Sequence, residues 1–137
     1  MEATPNNYST AALAYLGDCV IELCVRERLV KMGLSSSARL NAKALEYVRA
    51  TAQAAAMKKI LPLLSDEEEQ AFRRGRNMGH TNTPKSATVS EYRSATGMET
   101  LFGYLHLCGR KERIGELFAL AYDFDEININ ENEKEGN

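Results

Sequence analysis

Two isolated carboxylates are the residues in this sequence best suited to chemistry. Asp18 follows Gly17 in the apolar run ALAYLGDCVIELCV, and Glu99 stands in the apolar run GMETLFGYLHL, one turn before Gly103. A carboxylate is rarely buried without a partner, because the loss of hydration is costly. A glycine inside a helix costs about 1 kcal/mol relative to alanine, which suggests that something approaches the backbone closely there. The pattern therefore raises the hypothesis that two acids on two largely buried helices converge on a hard divalent cation such as Mg²⁺.

The same residues allow a plainer interpretation. Asp18, Glu22 and Arg26 are spaced four residues apart, so they could form a solvent-exposed stripe of ion pairs along one helix face. One acid on each of two helices is also a weak signal for a metal site. Spacing alone leaves both interpretations open.

A basic segment lies between the two acidic helices. Residues 73–93 contain five Arg or Lys residues and a single acid, Glu91. They also contain short hydrogen-bonding side chains that suit phosphate and sugar oxygens, although a solvated loop would have a similar composition. The chain has no Walker-type phosphate loop, zinc-ligand spacing, nucleophile elbow or dinucleotide-binding motif. The sequence thus favours a nucleic-acid or phosphate contact without a nucleotide cofactor.

The elements that must position these residues are predicted to be helices, which makes the protein all-α. The apolar spacing is helical throughout, and no convincing alternation of apolar and polar residues occurs. Gly33 and Gly109 are expected to separate helices, and Pro62 to interrupt one. Ser65 and Glu68 form a predicted capping box. The predicted helices cover residues 10–32, 37–50, 51–64, 66–77, 86 or 90 to 107, and 112–122.

Length and charge indicate one domain followed by a tail. The 137 residues suit a single core, and residues 1–122 are predicted to form it. The formal net charge of −2 alone argues against a nucleic-acid-binding protein. However, residues 123–137 hold six acids and one Lys, so the rest of the chain is mildly basic. This acidic tail is predicted to be disordered.

The cellular location is predicted to be the cytoplasm. The N-terminal residues lack the features of a signal peptide, and no apolar run reaches the ~18 residues of a membrane helix. Cys19, Cys24 and Cys108 stand singly in apolar runs, which is typical of buried thiols in a reducing compartment.

Several motifs together resemble those of the ribonuclease III family. LAYLGDCVIEL resembles the family's signature helix, and GMETLFGYLHL resembles its second acidic motif. RRGRNMGHTNTPK and EYRSAT are similar to the loop and lead-in of the Mini-ribonuclease III subfamily, which has the endonuclease domain without a double-stranded-RNA-binding domain. The resemblance covers residues 7–122. It implies a single helical ribonuclease III endonuclease domain.

The resemblance also implies the site residues. Asp18 matches the signature aspartate and Glu99 the essential glutamate, so both are expected to be catalytic and to bind Mg²⁺. Two further acids of the family are replaced, by Ala14 and Thr96, which leaves the number of metal ions open. The motif gives no reason to make Glu22 a ligand.

The activity implied is Mg²⁺-dependent hydrolysis of double-stranded RNA to 5′-phosphate and 3′-hydroxyl ends by a homodimer, with precursor large-subunit (23S) ribosomal RNA as substrate. Because Ala14 and Thr96 replace family acids, a non-catalytic RNA- or ribosome-binding module with the same fold stays open as an alternative. An unrelated helical interaction protein, with both acids on its surface, is a remoter one. No partner in a membrane is expected. The candidates for RNA binding are Arg74, Arg76, Asn77, His80, Thr83 and Lys85.

Overall fold

The protein is a bundle of α-helices, described in a computed structural model for residues 5–78 and 87–123. No strand occurs in these two ranges, which confirms the all-α prediction. Short 3-10 helices cover Pro5–Asn7 and Leu61–Leu63. The six α-helices are α1 (Thr10–Lys31), α2 (Ser37–Val48), α3 (Ala50–Ile60), α4 (Asp66–Arg76), α5 (Val89–Leu107) and α6 (Lys111–Ala121).

Most helix ends follow the predicted signals. The Ser9 hydroxyl accepts a hydrogen bond from the Ala12 N–H at 3.0 Å and begins α1. The capping box that begins α4 is present, with the Ser65 and Glu68 side chains each bonding the other residue's backbone N–H. Gly33 and Gly109 have φ angles of +98° and +73°, which explains why α1 and α5 end where they do.

The start of α5 differs from the prediction. This long helix begins after Thr88, rather than at Ser86 or Ser90, because Thr88 and Glu91 complete a second capping box. The predicted interruption at Pro62 is present: α3 ends at Ile60 and Pro62 lies in the 3-10 helix Leu61–Leu63, because a proline cannot donate the hydrogen bond that would continue an α-helix.

Helix α5 is the centre of the bundle, and α1, α3, α4 and α6 pack against it. Between Ala95 and Leu105, every residue of α5 except Glu99 is buried. Met98, Leu101, Phe102 and Leu105 are fully enclosed in the main hydrophobic core. Glu99 is therefore the one position in this stretch where α5 is not completely covered.

The crossing of α1 and α5 is a backbone-to-backbone contact. A Cβ atom added at Gly17 would lie 1.5 Å from the Glu99 carbonyl oxygen, and one added at Gly103 would lie 2.0 Å from the Leu13 carbonyl oxygen. Both distances are far below van der Waals contact, so only glycine fits at either position. The close backbone approach expected at Gly17 is thus present, and its partner is the segment of α5 that carries Glu99.

A second pair of glycines lets α4 approach α5. A Cβ atom at Gly75 would lie 2.2 Å from the Thr100 hydroxyl oxygen, and one at Gly97 would lie 2.6 Å from the Phe72 ring. This contact holds the end of α4 against α5 at the level of Glu99.

An ion pair holds the start of α4 to α6. The Arg113 guanidinium bonds the buried Glu68 carboxylate at 2.8 Å and also the Leu63 carbonyl oxygen at 2.9 Å. Hydrogen bonds from Arg113 hold the pKa of Glu68 below its ordinary value. This cluster connects the N-terminal end of α4 to the last helix.

Some predictions fall outside the part of the chain that the structure describes. His80, Thr83, Lys85 and residues 124–137 are outside the described ranges, so the expected loop and the disordered tail stay predictions. Among the described helices, none combines the length and apolar character needed to cross a bilayer.

We expect Gly17→Ala to lower the free energy of unfolding by about 1–3 kcal/mol or more, because the methyl group must push α1 away from α5. The measurement is urea-induced unfolding followed by circular dichroism. Gly115→Ala in α6 is the matched control, since a Cβ atom there meets nothing within 4 Å. It should leave stability unchanged or raise it by up to about 1 kcal/mol. Equal effects of the two substitutions would contradict the close crossing.

Candidate active site

The α1–α5 crossing places the two predicted acids side by side. Gly17 touches the backbone of Glu99, so the next residue of α1, Asp18, lies beside the Glu99 side chain. The two carboxyl groups are within hydrogen-bonding reach of each other. Asp18 is exposed and Glu99 is partly buried. The pair is therefore open to solvent on the Asp18 side and enclosed by helix α5 on the other.

The electrostatics of this pair are unfavourable for two ionised groups. Burial, then the negative charge of Asp18 and a hydrogen bond with it, together raise the pKa of Glu99 to about 8. Close carboxylates that share a site behave in this way, since both cannot ionise without repulsion. The arrangement suits a ligand that brings positive charge.

Only part of the predicted stripe of ion pairs along α1 is present. Arg26 bonds Glu22 at 2.6 Å, and both side chains are substantially exposed. Asp18 instead lies against Glu99. Glu22 is thus paired with Arg26 within its own helix.

The two positions where family acids are replaced carry no ligand for this pair. Ala14 is buried, and Thr96 is buried with its hydroxyl donating to the Tyr92 carbonyl oxygen at 3.0 Å. Within residues 5–78 and 87–123, no group of three or more His, Cys, Asp or Glu side chains is arranged to hold a metal. The described residues therefore offer a two-carboxylate site.

The described candidates for RNA binding lie at the end of α4. Arg76 and Asn77 are exposed, and the Arg76 guanidinium lies 5.7 Å from the centre of the Phe72 ring. Arg74 is less exposed and donates a hydrogen bond to the Tyr8 carbonyl oxygen at 2.8 Å, which ties the N-terminal turn to α4. The Gly75 contact keeps these residues close to the part of α5 that carries Glu99.

One face of α1 is exposed, although the apolar sequence of this helix predicted that other parts of the protein bury most of its surface. Tyr15 is 86% exposed and Leu23 is 61% exposed. Cys19, between them on the same face, is also exposed, so the expectation of a buried thiol is wrong for this residue. A cavity of about 990 Å³ opens beside this face, between α1 and α6. We call Tyr15, Cys19 and Leu23 the α1 strip.

Two basic residues missed by the sequence analysis as site residues share a cleft near the end of α4. Lys58 at the end of α3 and Arg93 in α5 line it together with Arg76. Lys58 and Arg93 are far apart in sequence and belong to no common motif, so only the packing of α3 against α5 brings them together.

Comparison with known proteins places these features in a family. The Ribonuclease III domain model matches residues 11–110. The Mini-ribonuclease 3 of Symbiobacterium thermophilum is 45% identical over 124 residues, 90% of this chain and 95% of the relative. The Mini-ribonuclease 3 of Enterococcus faecalis is 45% identical over 108 residues, 77% of this chain and 82% of the relative.

A solved structure agrees in fold. The crystal structure of a protein from Fusobacterium nucleatum has a TM-score of 0.75 and 32% sequence identity, and the match covers 82% of this chain and 89% of that one. Residues 11–110, which the Ribonuclease III domain model matches, contain both Asp18 and Glu99. The chain therefore belongs to the ribonuclease III family, within its Mini-ribonuclease 3 group, and is an endoribonuclease.

Proposed function

We propose that this endoribonuclease hydrolyses double-stranded RNA with Mg²⁺ held by Asp18 and Glu99. The observation that carries the proposal is the contact between these two carboxyl groups, one of which has a pKa of about 8. Two like charges brought together beside a solvent-open edge are a cost to the fold, and a bound cation removes that cost.

The residues present fit Mg²⁺. This ion prefers oxygen ligands and is commonly bound through one or two carboxylates, with waters and substrate phosphates completing its coordination. Asp18 and Glu99 supply two carboxylates and leave the remaining positions to the substrate. The ribonuclease III family is generally metal-dependent, which agrees with this choice.

In the proposed reaction, the protein positions one phosphodiester of the RNA against the two carboxylates. A divalent cation held there supplies positive charge that stabilises the phosphate and makes a water more acidic. Water attacks the phosphorus, the bond to the 3′ oxygen breaks, and that oxygen takes up a proton. The products are a 5′-phosphate and a 3′-hydroxyl. Glu99 extends from a stretch of α5 whose other residues, from Ala95 to Leu105, are buried, so packing on the neighbouring residues holds its backbone.

RNA is proposed to lie against the end of α4. Arg74, Arg76 and Asn77 lie at the end of α4, which packs through Gly75 against the Thr96–Thr100 stretch of α5, and His80, Thr83 and Lys85 follow them in sequence. Basic and amide side chains of this kind contact phosphates and 2′-hydroxyls, which give recognition of duplex shape. Precursor 23S ribosomal RNA as the natural substrate is carried over from the family resemblance. The cytoplasm is proposed as the location because the three cysteines are free thiols, which is typical of a reducing compartment.

The functional unit is proposed to be a homodimer joined through the α1 strip. Large apolar side chains that are exposed together on one face mark interaction surfaces more often than isolated ones do. The strip lies on the same helix as Asp18, and the cavity of about 990 Å³ beside it offers space for a partner's side chain. Two copies would bring two carboxylate pairs to one duplex, which allows each to cut one strand.

We expect Asp18→Asn or Glu99→Gln to lower the rate of cleavage of a long RNA duplex in Mg²⁺ by about 100-fold or more, since each removes a ligand charge. Circular dichroism should show an intact fold. Glu22→Gln, one turn from Asp18 on the same helix, is the matched control and should cut at the wild-type rate. EDTA should stop cleavage by every variant.

Wild-type rates for the Asp18 or Glu99 variants would refute the site. Wild-type protein that binds duplex RNA without cutting it would favour the non-catalytic module.

Tyr15→Asp and Leu23→Asp are expected to shift the protein from dimer to monomer in analytical ultracentrifugation, because each places a charge within the α1 strip. Leu45→Asp is the control, since Leu45 is 55% exposed on α2, away from the strip. It should sediment like the wild type. A monomeric wild type, or a dimer that persists in both strip variants, would exclude this interface.

Without a divalent cation, the free energy of unfolding should fall as the pH rises from about 4.5 to 8. Over this range the folded state keeps a proton on Glu99 that the unfolded state has lost, so rising pH favours unfolding. The loss contributed by this group is at most about 1.4 kcal/mol per pH unit. Urea unfolding in EDTA across this pH range measures it. Glu99→Gln should remove this contribution. If the stability of this variant depends on pH as strongly as that of the wild type, the raised pKa of Glu99 is contradicted.

A further inference from the structure

A second cleft, of about 590 Å³, is separate from the carboxylate pair. It is bounded by the end of α3, the end of α4 and the first turns of α5. Ser90 and Ser94 line it, and by helical geometry they lie on the side of α5 roughly opposite to Glu99. A volume of this size is in the range of small-molecule sites.

The cleft carries positive charge that no acid among the described residues pairs with. Lys58, Arg76 and Arg93 line it, and none of them forms an ion pair with a carboxylate in the described residues. Its one acidic residue is Glu91, whose carboxylate accepts a hydrogen bond from the Thr88 N–H at 3.0 Å as part of the helix cap.

Elsewhere in the protein, basic side chains are commonly paired. Arg26, Lys31, Arg73, Arg110 and Arg113 each have an acidic partner within 3.3 Å. Lys58, Arg76 and Arg93 have no such partner among the described residues, and three cations around one depression favour an anionic ligand.

The floor and rim of the cleft suit a flat, apolar group next to that anion. Met57 and Phe72 are buried beneath it, while Leu61 and Val89 are partly exposed at its edge. The Arg76 guanidinium carbon lies 5.7 Å from the centre of the Phe72 ring, so a cation and an aromatic side chain adjoin here. Guanidinium planes and apolar side chains of this kind stack on nucleobases.

Polar side chains in the cleft also suit a nucleotide. The side chains of Ser90 and Ser94, one helical turn apart, and of Asn77 can donate and accept hydrogen bonds at a base edge or a ribose. An acidic peptide would satisfy the cations but would leave the flat stacking surface unused.

We propose that this cleft binds a single nucleotide unit, with its base against Arg76 and the apolar floor and its phosphate between Lys58 and Arg93. The nucleotide is either an unpaired residue at the end of an RNA duplex, which rests on the proposed RNA-cleaving function, or a free mononucleotide, which does not. In both cases the chemistry recognised is the same: a phosphate joined to a planar base.

Binding is tested in EDTA, so that no RNA is cut. Adenosine 5′-monophosphate is titrated by calorimetry, and a blunt RNA duplex is compared by fluorescence anisotropy with the same duplex carrying two unpaired 3′ nucleotides. The test variant is Lys58→Ala with Arg93→Ala; both side chains are exposed, so the fold should persist. Lys59→Ala is the matched control on α3.

The double variant should bind the mononucleotide, or the duplex with unpaired 3′ nucleotides, about tenfold more weakly than the wild type does. Lys59→Ala should bind both ligands as the wild type does. A loss confined to the mononucleotide assigns the cleft to a free ligand, and a loss confined to the extended duplex assigns it to RNA. If neither ligand gives a difference between the double variant and wild type, or if Lys59→Ala gives the same loss, the cleft does not bind nucleotides. Binding of an acidic peptide alone would also overturn the proposal.

The result is independent of the carboxylate site. Cleavage of the blunt duplex by wild-type protein in Mg²⁺ tests the proposed function by itself. Nucleotide binding without any cleavage would support the proposed ligand of the cleft and refute the proposed function. Cleavage without nucleotide binding would support the proposed function and refute the proposed ligand of the cleft.

Discussion

The geometry of the carboxylate pair depends on the contact between the backbones of α1 and α5. At Gly17 and Gly103 the two helices approach more closely than any side chain would allow. The backbone positions from which the Asp18 and Glu99 side chains extend are therefore fixed by a main-chain contact. Because functional groups on rigid elements are held more precisely than those on loops, this crossing is well suited to keeping two mutually repelling groups together.

The stability of the bundle offsets the electrostatic cost of this pair. Helix α5 is buried along most of its length against four other helices, and the apolar side chains around Phe102 and Leu105 hold it in place. Glu99 is thus carried by an element that cannot easily turn it outward to solvent. An acid with a raised pKa persists where the surrounding packing is strong enough to maintain it, and such groups are concentrated at functional sites.

Much of the fold and the carboxylate pair could be predicted from sequence, because their signals are local. Capping residues such as Ser65, and the glycines next to Asp18 and Glu99, report on backbone geometry within a few residues. The residue that begins α5 could not be predicted in the same way, since Ser86, Thr88 and Ser90 are all residue types that cap helices. Only the reciprocal hydrogen bonds between Thr88 and Glu91 single out Thr88. The cleft between Lys58 and Arg93, and the exposed face of α1, arise from packing between distant segments, which no single motif encodes.

The hydrogen bond from Arg74 to the Tyr8 carbonyl oxygen joins the beginning of the chain to the end of α4. Tyr8 stands just before α1, so the bond spans the sequence interval that contains the whole of α1, α2 and α3. Removal of the chain through Tyr8 would leave the Arg74 guanidinium without this acceptor. The few residues before α1 therefore help to position a member of the basic segment.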